Sequence, residues 1–152
     1  MKEEFKIRKA TEADFEKLYE LGKNTTELRV SASEEFMHPD EFKWSIKDTN
    51  GVFLLAENEG KVISFIYASG AEDMANPYPE KWVCLTYLAV DPVWRQKGVA
   101  TLLYEECVGQ LKQMGLTNLY GLVNAESGSI LEFMKKHGFA EGHKFIWMDK
   151  KL

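Results

Sequence analysis

Residues 87–114 read YLAVDPVWRQKGVATLLYEECVGQLKQM, and the fold turns on three consecutive pieces of that run. Tyr87-Leu88-Ala89-Val90 closes an apolar strand, Asp91-Pro92 turns the chain, and the basic loop over residues 94–100 opens a long amphipathic helix. A helix start leaves backbone N–H groups without intrahelical acceptors and carries the positive end of the macrodipole, so this junction suits an anion. Gly98 has no Cβ to hold a ligand's oxygens away, Ala100 is the next smallest residue, and Arg95 and Lys97 add full charges at the loop's edge. A basic surface turn with no ligand is the competing reading of these few residues.

The elements on either side of this run predict one α/β unit spanning residues 1–152, with no repeat, linker or low-complexity tract. Phe5 and Ile7 alternate with charged neighbours as in an opening strand, and Thr11 with Asp14 three residues on forms a short capping box. Phe15, Leu18, Tyr19 and Leu21 give the first helix its apolar side. Pro39 starts a second, carrying Phe42, Trp44 and Ile46. Two apolar runs, at 52–56 and 62–67, flank Asn58-Glu59-Gly60-Lys61, a hairpin signal because Gly60 can take the positive φ of a tight turn. Residues 82–90 are apolar on both faces, as in a central strand. Val99, Leu102, Leu103, Cys107, Leu111 and Met114 mark the inner stripe of the long helix, which Gly115 stops. Residues 119–123 form the next strand, parallel to the central one across a right-handed crossover. Ser127 or Ser129 caps a helix with Ile130, Phe133 and Met134 inward, Gly138 ends it, and residues 144–149 make a closing strand.

The net charge of −5 argues against a general nucleic-acid binder and leaves room for a cationic acceptor. No apolar run reaches membrane-spanning length, and the opening MKEEFKIRKATEAD lacks a signal-peptide core, so a cytoplasmic location is expected. The two cysteines, Cys84 and Cys107, are expected as buried free thiols, and no spacing links them to His137 or His143 as metal ligands. No metal site is expected.

Arg95-x-x-Gly98-x-Ala100, preceded by Leu88-Ala89-Val90-x-Pro92 and followed by Leu102-Leu103, resembles the (Gln/Arg)-x-x-Gly-x-(Gly/Ala) pyrophosphate loop of the GNAT superfamily of acyl-CoA-dependent N-acetyltransferases. Val123-x-x-x-Ser127-x-x-Ile130-x-x-Phe133-Met134-x-x-x-Gly138-Phe139 is similar to a second stretch of that family. The resemblance covers essentially the whole chain. It implies a mixed, largely antiparallel sheet with a splayed parallel central strand pair and helices on both faces.

It further implies an enzyme that moves an acetyl group from acetyl-CoA to a primary amine of a small molecule, polyamine or peptide, by direct attack through a tetrahedral intermediate. By the same resemblance, Leu88, Ala89 and Val90 lie along the pantetheine arm, while Arg95, Gln96, Lys97, Gly98, Val99, Ala100 and Thr101 wrap the pyrophosphate. A backbone N–H at Leu88 polarises the thioester carbonyl. Two places depart from the pattern: Ser127 stands where an Asn is common, and Met134 where a Tyr often protonates the leaving thiolate. Asn124 is the nearby amide that can stand in, or simply a turn residue. Cys84 occupies the position of a glutamate base found in some members.

The missing base matters more than the missing acid. Thiolate release at pH 7 from a thiol of pKa about 8.5 costs about 2 kcal/mol, whereas neutralising a lysine-like amine costs about 4.6 kcal/mol. Either the acceptor is an amine of modest basicity or a base acts through water, with Glu72, Asp73 and Glu80 as candidates; Tyr87 is a further candidate proton group, with core packing the commoner role for an aromatic there. A non-catalytic acyl-CoA-binding regulatory domain is the alternative reading. A homodimer through the closing strands is compatible with this layout.

Overall fold

A computed structural model describes residues 4–34, 36–69 and 77–152. Its sheet has the order β1-β2-β3-β4-β5, formed by Lys6–Lys9, Val52–Asn58, Lys61–Ser69, Trp82–Val90 and Asn118–Gly121. Neighbours are antiparallel except β4 and β5, which are parallel. The hairpin forms at the anticipated place: Glu59 and Gly60 both take positive φ, 48° and 79°, which matches the twist of the strands they join.

Helices α1 (Phe15–Lys23) and α2 (Pro39–Lys47) cover one face, α3 (Val99–Gln113) and α4 (Gly128–Lys136) the other. The sheet therefore separates two cores. On the α3 side, Leu54, Ile63, Ile66, Val83, Leu85 and Leu88 meet Val99, Leu103, Cys107 and Leu111. Leu102 and Met114, expected in that stripe, are 46% and 39% exposed, because the buried residues follow the i, i+4 spacing of one narrow face. On the α1–α2 side the core is aromatic, with Phe42 fully buried among Phe15, Tyr19, Phe36, Phe53, Phe65 and Tyr87. Trp44 points outward, 63% exposed. Burial pushes the Cys107 thiol up to about 12.

The expected closing strand is not formed. Residues 144–149 pair with no strand among the described residues, since the sheet ends at β5.

The capping residue Asp14 has a second use. Its carboxylate accepts from the Thr11 N–H (2.8 Å) and hydroxyl (3.0 Å) and holds both Arg8 guanidinium nitrogens at 2.8 Å, with Glu57 as the third member at 3.0 Å from Arg8. Hydrogen bonding from Arg8 first, then from Thr11, keeps the Asp14 carboxyl well below the usual carboxylate range. A folded-state pKa below the unfolded one contributes stability that is complete above the unfolded value, about 3.9, and is lost as pH falls further. Urea unfolding at stepped pH is expected to show this loss below about pH 4, and Asp14→Asn is expected to flatten that limb while lowering stability at neutral pH. An unchanged acid slope in the variant rules the assignment out.

Candidate active site

The site arises from a register mismatch. β4 has nine residues but pairs with β5 only from Trp82↔Asn118 to Leu85↔Gly121. Beyond Leu85 the parallel strands part, and Leu122, the residue after β5, is 76% exposed. On the other side of β4 the ladder with β3 slips at the same level: Tyr67 faces Tyr87 but Ala68 faces Leu85, leaving Thr86 as an extra residue. Such a bulge bends the strand and re-aims the side chains beyond it. Val83 and Leu85 point into the α3-side core, and strict alternation would send residue 87 there as well. The bulge turns Tyr87 and Ala89 to the α2 side instead.

Backbone polarity in the gap can be read from the ladder. Asp91 N–H donates to Ile63 O at 2.8 Å, so on the antiparallel alternation residues 91, 89 and 87 bond to β3 while the N–H and C=O of Leu88 and Val90 face away from it. Among the described residues no strand stands opposite them there. Val90 O takes one bond, from Arg95 Nε at 3.3 Å.

The loop after β4 delivers the chain into α3 through two left-handed residues, Gln96 at φ 62° and Gly98 at φ 83°. Gly98 is the N-cap and supplies no capping side chain, the first turn of α3 carries no acid, and the first backbone bond is Leu102 N–H to Gly98 O. The amides of Val99, Ala100 and Thr101 thus lack intrahelical acceptors. A Cβ built on Gly98 would have no atom beyond its chain neighbours within 4 Å, so the N-cap position itself is uncrowded. Lys97 lies over the Trp94 ring at 5.0 Å, and Arg95 reaches Glu27 at 3.2 Å.

On the α2 side a cavity of about 560 Å³ is lined by Met37, Asp40, Glu41, Trp44, Thr86 and Tyr87 among others. The Tyr87 hydroxyl donates to Met37 Sδ at 2.8 Å, and burial, with the Glu41 charge second, pushes its phenol above the usual range. The cavity joins the bulge of β4 to the acidic first turn of α2.

The profile of the acetyltransferase (GNAT) family matches residues 15–139. The chain belongs to that family. An uncharacterized N-acetyltransferase of Methanocaldococcus jannaschii is 28% identical over 100 residues, a stretch covering 66% of this chain but 44% of that protein. The chain thus spans less than half the length of that relative. Among solved structures, the aminoglycoside N-acetyltransferase AAC(6')-Iy in complex with CoA superposes with a TM-score of 0.74 at 20% identity, covering 97% of this chain and 100% of that one. The ribosomal-protein-S18-alanine N-acetyltransferase of Escherichia coli does so with 0.73 at 17% identity, covering 92% and 80%. These structures share the GNAT fold with this chain.

Within this GNAT chain, the residues expected from the second stretch are placed unevenly. Met134 is 7% exposed, and its methyl lies 3.2 Å from where a Gly121 Cβ would sit, so it is a wall of the α3-side core. Ser127 stands at the N-cap of α4 without a side-chain capping bond. Asn124 Oδ1 accepts from Glu126 N–H at 2.9 Å and its carbonyl from Ser127 N–H at 3.0 Å, the bonding of a turn residue. His137 packs between Tyr104 and Phe133 at the end of α4. Lys135 pairs with Glu141 at 3.4 Å.

Glu80 is exposed two residues ahead of β4, at the opposite end of that strand from Leu88. Glu72 and Asp73 lie outside the described residues. Asp40 and Glu41 carry no signal in the sequence, because helix-start acids are common for electrostatic reasons alone. Their place beside Tyr87 depends on how α2 packs over the bulge.

No helix among the described residues is long and apolar enough to cross a membrane.

Proposed function

We propose that this chain transfers an acetyl group from acetyl-CoA to a primary amine of a cationic small molecule. The observation that carries this reading is the uncapped start of α3 beside the open edge of β4, with an acidic aromatic cavity on the other face of the same strand. Acetyl-CoA, as co-substrate, supplies the activated acyl thioester. The amides of Val99, Ala100 and Thr101, with Gln96, Lys97 and Gly98 around them, are suited to a diphosphate. Arg95 can join it by exchanging Glu27 for a phosphate oxygen. Leu88 and Val90 offer main-chain groups along the gap to an extended amide-bearing arm. The Leu88 N–H, which faces away from β3, is our candidate for the donor against which carbonyl oxygen charge builds.

The cavity volume is within the ordinary range for a small-molecule site. Asp40 and Glu41 give it negative charge and Trp44 an exposed ring, a combination that favours an ammonium group. Glu41 is also our candidate proton acceptor, acting directly or through water once the amine is seated. Tyr87 keeps its proton at neutral pH and orients the wall. No acid is required for thiolate departure, whose cost is about 2 kcal/mol.

The test is thiol release from acetyl-CoA across a panel of polyamines, aminoglycosides, peptide α-amines and amines that carry a carboxylate. Turnover is expected for the multiply cationic members and not for the carboxylated ones. Glu41→Gln is expected to lower kcat/KM roughly 100-fold with the Kd for coenzyme A unchanged. Coenzyme A binding without turnover of any amine would instead support the regulatory acyl-CoA binder, and unaltered kinetics in Glu41→Gln would remove Glu41 from the reaction.

A further inference from the structure

Among the described residues, four side chains make the sheet wall of the α2-side cavity: Tyr67 and Ser69 from β3, Thr86 and Tyr87 from β4. Each ends in a hydroxyl, with one hydrogen to donate and two lone pairs to accept with. All four hydrogens have acceptors inside the protein. Tyr67 donates to Asp48 Oδ2 at 2.8 Å and Tyr87 to Met37 Sδ at 2.8 Å. Thr86 Oγ1 has Ser69 Oγ at 3.1 Å and Cys84 O at 3.2 Å, and Ser69 Oγ has Cys84 O at 3.5 Å. Burial first, then the Asp48 bond, pushes the Tyr67 phenol above its usual range, so that proton stays in place.

A wall whose hydroxyl hydrogens are all turned inward offers a ligand lone pairs only. The phenol oxygens delocalise a lone pair into their rings, which leaves the alkyl hydroxyls of Ser69 and Thr86 as the stronger acceptors. The bulge brings these two together. Ser69 stands opposite Cys84, and the extra residue Thr86 turns its hydroxyl back toward the Cys84 carbonyl. A carboxylate, carbonyl or ether of a ligand is not satisfied there, because each sets lone pair against lone pair. An O–H is satisfied. An ammonium would also donate, but the charged side chains that balance one, Asp40 and Glu41, belong to the α2 wall, and an unbalanced charge is costly to desolvate.

We infer that Ser69 and Thr86 form a second polar subsite of this cavity, one that accepts a hydrogen bond from a hydroxyl of the bound amine while its ammonium groups face Asp40 and Glu41. The inference rests on the amine site proposed above and narrows its occupant to hydroxylated amines. Ser69 and Thr86 are then specificity residues, with no part in moving the acetyl group.

Calorimetric titration of the full chain, with and without coenzyme A, compares diaminopropanol with its methyl ether and with the analogue carrying fluorine in place of the hydroxyl. All three keep both amines and an electron-withdrawing group between them, so basicity stays close while the donor is lost. The alcohol is expected to bind roughly 10-fold more tightly than either analogue. Fluorine is no larger than a hydroxyl, so size does not imitate this result. In Thr86→Val, alone and combined with Ser69→Ala, the ratio is expected to fall toward about one, while Thr86→Ser retains it; the Tm of each variant verifies its fold. Equal affinities for the three ligands overturn the inference. So does an alcohol that fails to bind, or a preference that persists in the double variant. Thiol release from acetyl-CoA separates the subsite from the reading beneath it: preference for the alcohol without acetyl transfer keeps the subsite and removes the acetyltransferase reading, and transfer to all three at equal kcat/KM does the reverse.

Discussion

Gly98→Asp is expected to weaken coenzyme A binding by roughly 100-fold or more while leaving a folded protein. A Cβ at residue 98, the N-cap of α3, has no atom beyond its chain neighbours within 4 Å, so the side chain meets no steric obstacle there. A non-glycine residue at φ 83° costs about 1–2 kcal/mol, a tolerable loss for most domains. A diphosphate approaching the amides of Val99, Ala100 and Thr101 would instead meet a carboxylate. Forfeiting one or two charge-assisted hydrogen bonds, at about 1.5–3 kcal/mol each, corresponds to roughly two orders of magnitude in Kd. Calorimetric titration measures this directly. Thermal unfolding gives an independent reading, since ligand at about 100 times Kd should protect the parent by about 2.7 kcal/mol and the variant hardly at all. Equal affinities in the two proteins would show that the diphosphate does not sit at this helix start.

Phe42→Ala is expected to cost about 3–5 kcal/mol of unfolding free energy. Phe42 is fully buried, with ring centroids 5.6 Å from Tyr19 and Phe36, 5.8 Å from Phe53, 5.9 Å from Phe65 and 6.1 Å from Phe15 and Tyr87. So many rigid neighbours cannot collapse into the space of one ring, and the cavity persists. Urea unfolding should show a lower midpoint with an unchanged slope. Because the loop proposed for the coenzyme adjoins the other core, across the sheet, the Kd for coenzyme A in the folded variant should move far less than kcat/KM for the amine, if the amine is seated, as proposed, against Tyr87 and the cavity wall. A loss under about 1 kcal/mol would mean that the aromatic layer is loosely packed and repacks around the gap.

What could be read in advance was whatever is encoded by neighbours along the chain. The hairpin at Asn58-Glu59-Gly60-Lys61, the left-handed Gly98 and the i, i+4 row Val99, Leu103, Cys107, Leu111 each express a local preference: a turn's φ, a helix start, a helix face. The GNAT motifs sit on those local features, which is why residues 95–101 fell where the loop does. The reading of residues 144–149 as a closing strand failed for a related reason. Their apolar content satisfies a strand's composition, but a strand also needs a partner, and among the described residues of one chain none is opposite them.

Glu80 shows another limit of reading along the chain, since it is next in sequence to β4 but lies at the end away from Leu88. The bulge at Thr86 leaves no mark in the sequence, because an extra residue exists only relative to the strand it faces. Yet that bulge sends Tyr87 to the α2 side and lets Asp40 and Glu41 share a cavity with it. By itself, then, the sequence determined the order of β1 to β5 and their helices and the left-handed glycine loop that opens α3, since both rest on contacts a few residues apart. The cavity on the opposite face of β4, and the side chains that line it, were decided only by tertiary structure, because they depend on register between strands and on the packing of a helix far away in the chain from the strand it covers.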